Sequence, residues 1–226
     1  MLLCIPHVLS PEQAAQARQH LDGASWINGS ATAGHLAARV KNNEQLDPAN
    51  PVAREIGGMI LQALSQNPLF LSAALPLRIL PPMFNRYGPG QTYGFHIDGS
   101  IRNIPGTPVR IRTDLSCTLF FSEPEEYDGG ELQIDDTYGR QSVKLPAGHM
   151  VLYPSTSLHQ VTPVTRGTRT SAFFWLQSMI REDTERALLY HLDTALQALI
   201  ADHPEHRSIT ALTGTYHNLL RHWAEM

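Results

Sequence analysis

The sequence predicts a mainly β protein with helices on both flanks. Between residues 77 and 177 it holds eight short runs of β-forming residues separated by Gly, Pro and Asp, a density that suits a sandwich or barrel and not a βαβ fold. On either side the apolar residues switch to three- and four-residue spacing, the period of a helix.

Taken in order, Ser10-Pro11-Glu12-Gln13 opens the first helix, with Ser10 as N-cap, Pro11 in the first turn and Gln13 closing a capping box; the helix runs to Asp22-Gly23. Ile56, Ile60 and Leu64 mark a second helix over 52–64, closed by Asn67-Pro68. The predicted strands are 77–87, 92–98, 115–121, 131–134, 142–145, 150–153, 160–164 and 170–176. Gly129-Gly130 reads as a tight turn with positive φ. After Arg181, Leu189, Leu192, Leu196 and Leu199, then, beyond Pro204, Leu212, Tyr216, Leu219 and Trp223, predict a helical hairpin. The chain divides into an N-terminal helical flank at 1–76, a β unit at 77–180 and a C-terminal helical subdomain at 181–226. The hairpin either covers the flank of the β unit or forms a homo-oligomer interface.

Composition narrows the function. Forty-two per cent apolar and 17% charged residues exclude a disordered chain. A net charge of -4 without a run of Lys or Arg offers no footprint for nucleic acid or an anionic membrane. Cys4 and Cys117 make no disulfide framework, the N-terminus has no secretory pattern, and no stretch is apolar enough to cross a bilayer, so a cytoplasmic protein is expected.

Histidine is the informative residue type. His-x-Asp occurs three times, at His20/Asp22, His96/Asp98 and His191/Asp193, where chance gives roughly half an occurrence. On a helix, residues two apart point away from each other, so the first and last pairs cannot easily share an ion. On a strand they point the same way. The 92–98 run alternates, putting His96 and Asp98 on one face and Tyr93, Phe95 and Ile97 on an apolar one, which assigns Tyr93 to the core. A second imidazole, His159, follows a strand and turn in the same β unit. Two His and one carboxylate without thiolate form the facial triad that holds non-haem Fe(II), making His96, Asp98 and His159 the candidate catalytic metal ligands. Ten residues on, Arg169 heads the next strand, where a buried guanidinium can grip a distal carboxylate bidentately. Arg102, Arg110 and Arg112, in the segment after the metal strand, either rim a pocket for an acidic substrate or lie in a solvated loop.

The ordered run Tyr87-x2-Gly90-x2-Tyr93-x2-His96-x-Asp98, then Gly129-Gly130-Glu131-Leu132, Pro146-x-Gly148 and His159 with Arg169, resembles the prolyl-hydroxylase branch of the Fe(II)/2-oxoglutarate-dependent dioxygenases. The opening and the helical tail resemble the bacterial PKHD-type (PiuC/YbiX-like) hydroxylases, so the likeness covers essentially the whole chain. It implies a double-stranded β-helix (jelly roll) over 77–180. It also implies iron on His96, Asp98 and His159, and 2-oxoglutarate bound through Arg169 with help from Tyr87. O2 is the implied oxidant and L-ascorbate the implied reductant for the iron. The expected reaction hydroxylates an unidentified small-molecule or peptide substrate while 2-oxoglutarate is decarboxylated to succinate, with a link to iron homeostasis.

Two rivals are weighed against it. Nucleic-acid demethylases of the same superfamily resemble an Arg-x5-Arg pattern, whereas the residue six after Arg169 is Trp175. A non-catalytic iron-binding jelly roll, a sensor, has no need of the Arg169 clamp.

Overall fold

The computed structural model describes residues 1–29, 40–136 and 139–226. Its strands are β1 (Leu3–Ile5), β2 (Trp26–Asn28), β3 (Lys41–Asn42), β4 (Glu44–Leu46), β5 (Pro76–Ile79), β6 (Met83–Tyr87), β7 (Thr92–His96), β8 (Ile101–Asn103) and β9 (Arg110–Arg112). They continue as β10 (Leu115–Phe120), β11 (Asp128–Gly129), β12 (Leu132–Asp136), β13 (Gly139–Val143), β14 (Met150–Pro154), β15 (His159–Val161), β16 (Val164–Arg166) and β17 (Arg169–Ser178). The helices are α1 (Pro11–Asp22), α2 (Pro51–Ser65), α3 (Pro68–Ala74), α4 (Asp183–Asp202) and α5 (Ile209–Trp223).

Among the described residues, two antiparallel sheets face each other as the layers of a jelly roll. The larger runs β1-β14-β10-β17-β6-β4-β2, with β5 also on β17; the smaller runs β13-β12-β15-β7-β3. Period-two alternation in the central strands serves two cores at once. Leu115, Cys117 and Leu119 of β10 and Ala172, Phe174 and Leu176 of β17 pack with Ile56, Ile60 and Leu64 of α2 and Phe70 of α3. From the opposite face Phe120, Val151 and Tyr153 meet Leu132, Ile134 and Val161 of the smaller sheet.

Local chemistry explains the helix boundaries. At α1 the Ser10 side chain accepts from the Gln13 backbone N–H while Gln13 Oε1 accepts from the Ser10 N–H, the reciprocal capping box expected there. Asn67-Pro68, expected only to end α2, does more: Asn67 Oδ1 accepts from the Phe70 N–H at 2.9 Å and starts α3. The hairpin α4–α5 packs within the chain. Leu189, Tyr216, Leu219 and Trp223 cluster with Leu75 and Ile180, and Ser72 Oγ donates to Asp193 Oδ2 at 2.5 Å.

Several expected strands divide or shift. The 77–87 run becomes β5 and β6 because Pro81-Pro82 cannot donate to a ladder. The 160–164 run becomes β15 and β16 around Pro163. The segment before residue 77, read as helices, also supplies β1 to β4: β1 joins β14, β4 joins β6 and β3 joins β7. The segment carrying Arg102, Arg110 and Arg112 is an antiparallel hairpin, β8–β9.

Candidate metal centre and active site

The structure brings His96, Asp98 and His159 together from two strands and a loop, with one ligand atom from each lying within 4.8 Å of the others. His96 ends β7 and pairs directly with His159 of β15. Asp98 lies two residues beyond the end of β7, and its Oδ2 is 3.7 Å from His159 Nε2.

Hydrogen bonds orient all three. His96 Nδ1 donates to the Gly94 carbonyl at 2.8 Å and His159 Nδ1 to the Ser157 carbonyl at 2.9 Å, which leaves both Nε2 atoms free to bind a metal. Asp98 Oδ2 accepts from Ser116 Oγ at 2.7 Å, and Ser116 Oγ is itself 2.7 Å from Ser155 Oγ. Burial, and then the neighbouring His159, push His96 down to about 4, so its imidazole is neutral at ordinary pH, the form that binds metals.

Tyr93 corrects part of an expectation. It is half-buried and packs against the inner core as expected, but its ring also stacks on that of His96 with centroids 3.6 Å apart and lines the cavity. The cause is a bulge. Val161 pairs with Tyr93 while His159 pairs with His96, so three residues of β7 span the length of two on β15. The extra residue reverses the alternation, bringing Tyr93 to the face of His96. Phe95 and Ile97, expected on an apolar buried face, are 39% and 58% exposed.

The trio opens into a cavity of about 690 Å³ that also contains Tyr87 and Arg169. These two are cross-strand partners at the ends of β6 and β17, and both are buried. Arg169 Nη1 donates to Ser171 Oγ at 2.7 Å, and Ser171 Oγ donates to Asn85 Oδ1 at 2.6 Å. Among the described residues Arg169 makes no ion pair with a carboxylate, and its Nε is buried with no hydrogen-bond partner. An uncompensated buried guanidinium is unfavourable, so the site is shaped for an anion supplied from outside. The Tyr127 hydroxyl is likewise buried without a partner. Burial pushes the Tyr87 phenol up to about 12, keeping it a hydrogen-bond donor. Gly130 (φ +65°) packs against this group: a Cβ there would lie 3.1 Å from the Tyr127 ring and 3.2 Å from Arg169 Cδ.

The donor set of two imidazoles and one carboxylate, with no thiolate, fits Fe(II) of the facial-triad type, and the orphaned Arg169 Nε fits the far carboxylate of 2-oxoglutarate. Of the three arginines after the metal strand, only Arg102 lines the cavity. Arg112 is paired with Asp114 and Glu225, and Arg110 is exposed. Sequence reasoning missed Lys41, Ser116 and Trp175, all of which line the cavity. Ser116 and Trp175 lie on the interior-facing alternation of β10 and β17, which marks them once those strands are known to face the site. Lys41 carries no such signal. His20 and His191 lie exposed on α1 and α4, away from the trio.

A jelly roll with two histidines and a carboxylate facing its cavity is the arrangement of the 2-oxoglutarate-dependent dioxygenases among other metal-binding jelly rolls, and residues 82–177 match the 2OG-Fe(II) oxygenase superfamily. A Pseudomonas putida prolyl-4-hydroxylase shares the fold at TM-score 0.53 and 19% identity, covering 78% of this chain and 92% of its own. A prolyl hydroxylase from Trichoplax adhaerens, solved with a hypoxia inducible factor peptide, does so at TM-score 0.53 and 13% identity, covering 83% and 86%. Residues 183–225 match the PKHD-type hydroxylase C-terminal domain. A PKHD-type hydroxylase of Bordetella pertussis is 59% identical over all of both chains, and one of Pseudomonas aeruginosa is 56% identical, also over all of both. The chain belongs to the PKHD-type hydroxylases and is an oxidoreductase of the 2-oxoglutarate-dependent dioxygenase class. Among the described residues no helix is long and apolar enough to cross a membrane.

Proposed function

We propose that this protein hydroxylates a small-molecule or peptide substrate, with Fe(II) held by His96, Asp98 and His159 and 2-oxoglutarate anchored through Arg169. The observation that carries this reading is the buried Arg169, uncompensated by any acidic side chain among the described residues and sharing one cavity with the trio. The bound iron, with 2-oxoglutarate and O2, supplies the oxidising chemistry that releases succinate and CO2 and leaves a hydroxyl on the substrate.

The chain's own residues orient and shield. The Gly94 and Ser157 carbonyls fix the tautomers of the two imidazoles, and Ser116 fixes the Asp98 rotamer. The Arg169–Ser171–Asn85 chain holds the guanidinium in one pose, and the protonated Tyr87 phenol, its partner across the ladder, is assigned as a second donor to the same carboxylate. Burial of this end of the cavity excludes water, which strengthens a charged pair. Ascorbate as reductant and a role in iron uptake rest on the family resemblance. A cytoplasmic site of action suits two unpaired cysteines, Cys4 and Cys117.

Anaerobic addition of Fe(II) and 2-oxoglutarate tests the reading. A visible metal-to-ligand charge-transfer band, followed by succinate on admitting O2, is expected; iron binding with no band supports a non-catalytic binding protein instead.

A further inference from the structure

Along the inner face of β17 the interior side chains follow in the order Arg169, Ser171, Phe173 and Trp175. Six strand residues span about 20 Å, so Trp175 lies at the far end of the cavity from Arg169. A five-carbon co-substrate anchored at Arg169 does not reach it. Ser116, which holds Asp98, pairs in register with Trp175, so the metal ligands border this second end.

This end is cationic as well. The Arg102 guanidinium carbon lies 3.6 Å from the centroid of the Trp175 ring, and Arg102 Nε is buried with no hydrogen-bond partner. Among the described residues Arg102 makes no ion pair. Lys41, 8% exposed, reaches the same space over the Tyr93 ring at 5.3 Å and the Phe173 ring at 5.9 Å. Among the described residues Asp98 is the one acidic side chain lining the cavity, beside the guanidinium groups of Arg102 and Arg169. Once Asp98 ligates a metal, its charge is engaged there. Stacking on Trp175 fixes the plane of the Arg102 fork and leaves its edge for a planar or tetrahedral oxyanion. Beside it Ile97 and Ile101, 58% and 56% exposed, line the cavity with apolar surface.

We propose that the primary substrate is an organic oxyanion, a carboxylate or phosphate on an apolar body, held by Arg102 at the Trp175 end of the cavity. The assignment rests on the oxygenase reading of the site, since it takes Arg169 to be occupied by the co-substrate.

The test uses the protein loaded anaerobically with Fe(II) and 2-oxoglutarate, titrated with benzoate, phenyl phosphate and their neutral relative benzamide. Tryptophan fluorescence reads binding, and Trp175→Phe identifies the responding ring. At least one anion is expected to bind about tenfold or more tightly than benzamide, and the tighter of the two names the oxyanion. Arg102→Gln abolishes that preference and Arg102→Lys, which keeps the charge, retains part of it. Equal binding of all three probes, or a preference that survives Arg102→Gln, overturns the proposal. So does loss of the preference in Arg169→Gln with Arg102 intact. If the charge-transfer band fails to form, the oxygenase reading falls, while the fluorescence titration still decides the Arg102 assignment.

Discussion

His159 stands directly opposite His96 across the β15–β7 ladder, with ring centroids 4.2 Å apart. A hydrogen-bonded pair of strands thus sets the spacing of two proposed ligands, and the Nδ1 bonds to Gly94 and Ser157 set their orientation. The third ligand is different. Asp98 comes from a loop, and its rotamer depends on the hydroxyl of Ser116 on the facing sheet.

Ser116→Ala therefore tests the support of the metal centre without touching a ligand. Loss of such a partner lowers metal affinity about 10- to 100-fold. Competition with a chelator of known affinity measures it, and an unchanged Fe(II) affinity would show that Asp98 orients itself.

Arg169→Ala and His96→Ala are expected to fail in different ways. His96→Ala loses stoichiometric iron, read by metal analysis. Arg169→Ala keeps iron but raises the KM for 2-oxoglutarate about 10- to 100-fold, the loss expected for hydrogen bonds to a charged group. Unchanged succinate production at low 2-oxoglutarate removes Arg169 from the clamp.

Gly130→Ala places a Cβ at positive φ against Tyr127, Val164 and Arg169 Cδ. A non-Gly residue held in this region costs about 1–3 kcal/mol, which lowers the Tm by about 2–12 °C for a chain of this size. Displacement of Arg169 adds a rise in the KM for 2-oxoglutarate. A Tm fall with no KM change shows that the Arg169 stem does not lean on this glycine.

Asn67→Ala removes the cap that starts α3, on which α4 packs. A loss of about 1 kcal/mol is expected, read as a Tm lower by about 2–4 °C. Iron affinity stays at the wild-type value, because α3 covers the outer face of the larger sheet and not the cavity.

Much of this was legible in the sequence where a single local rule decides. Ser10, Pro11 and Gln13 specify the start of α1 because a capping box involves only neighbouring residues. Strand against helix spacing separates His96/Asp98 from His20/Asp22 and His191/Asp193; the structure places the first pair with His159, although Asp98 sits in the loop after β7, and leaves His20 and His191 exposed on helices while Asp193 bonds Ser72. Tyr93 shows where local rules end. One bulged residue between the two ladder pairs brings Tyr93 to the side of His96, and nothing in residues 92–98 announces it.

Residue types and their spacing are enough to find the β core between helices, the ordered set His96, Asp98 and His159, and Arg169 ten residues beyond it. Those follow from residue type and from the period of the chain. The stacking of Arg102 on Trp175, the entry of Lys41 into the same cavity and the burial of Arg169 opposite Tyr87 emerge with the folded chain alone. These partners are brought together by strand pairing and sheet packing across long stretches of chain, which no spacing within one segment encodes.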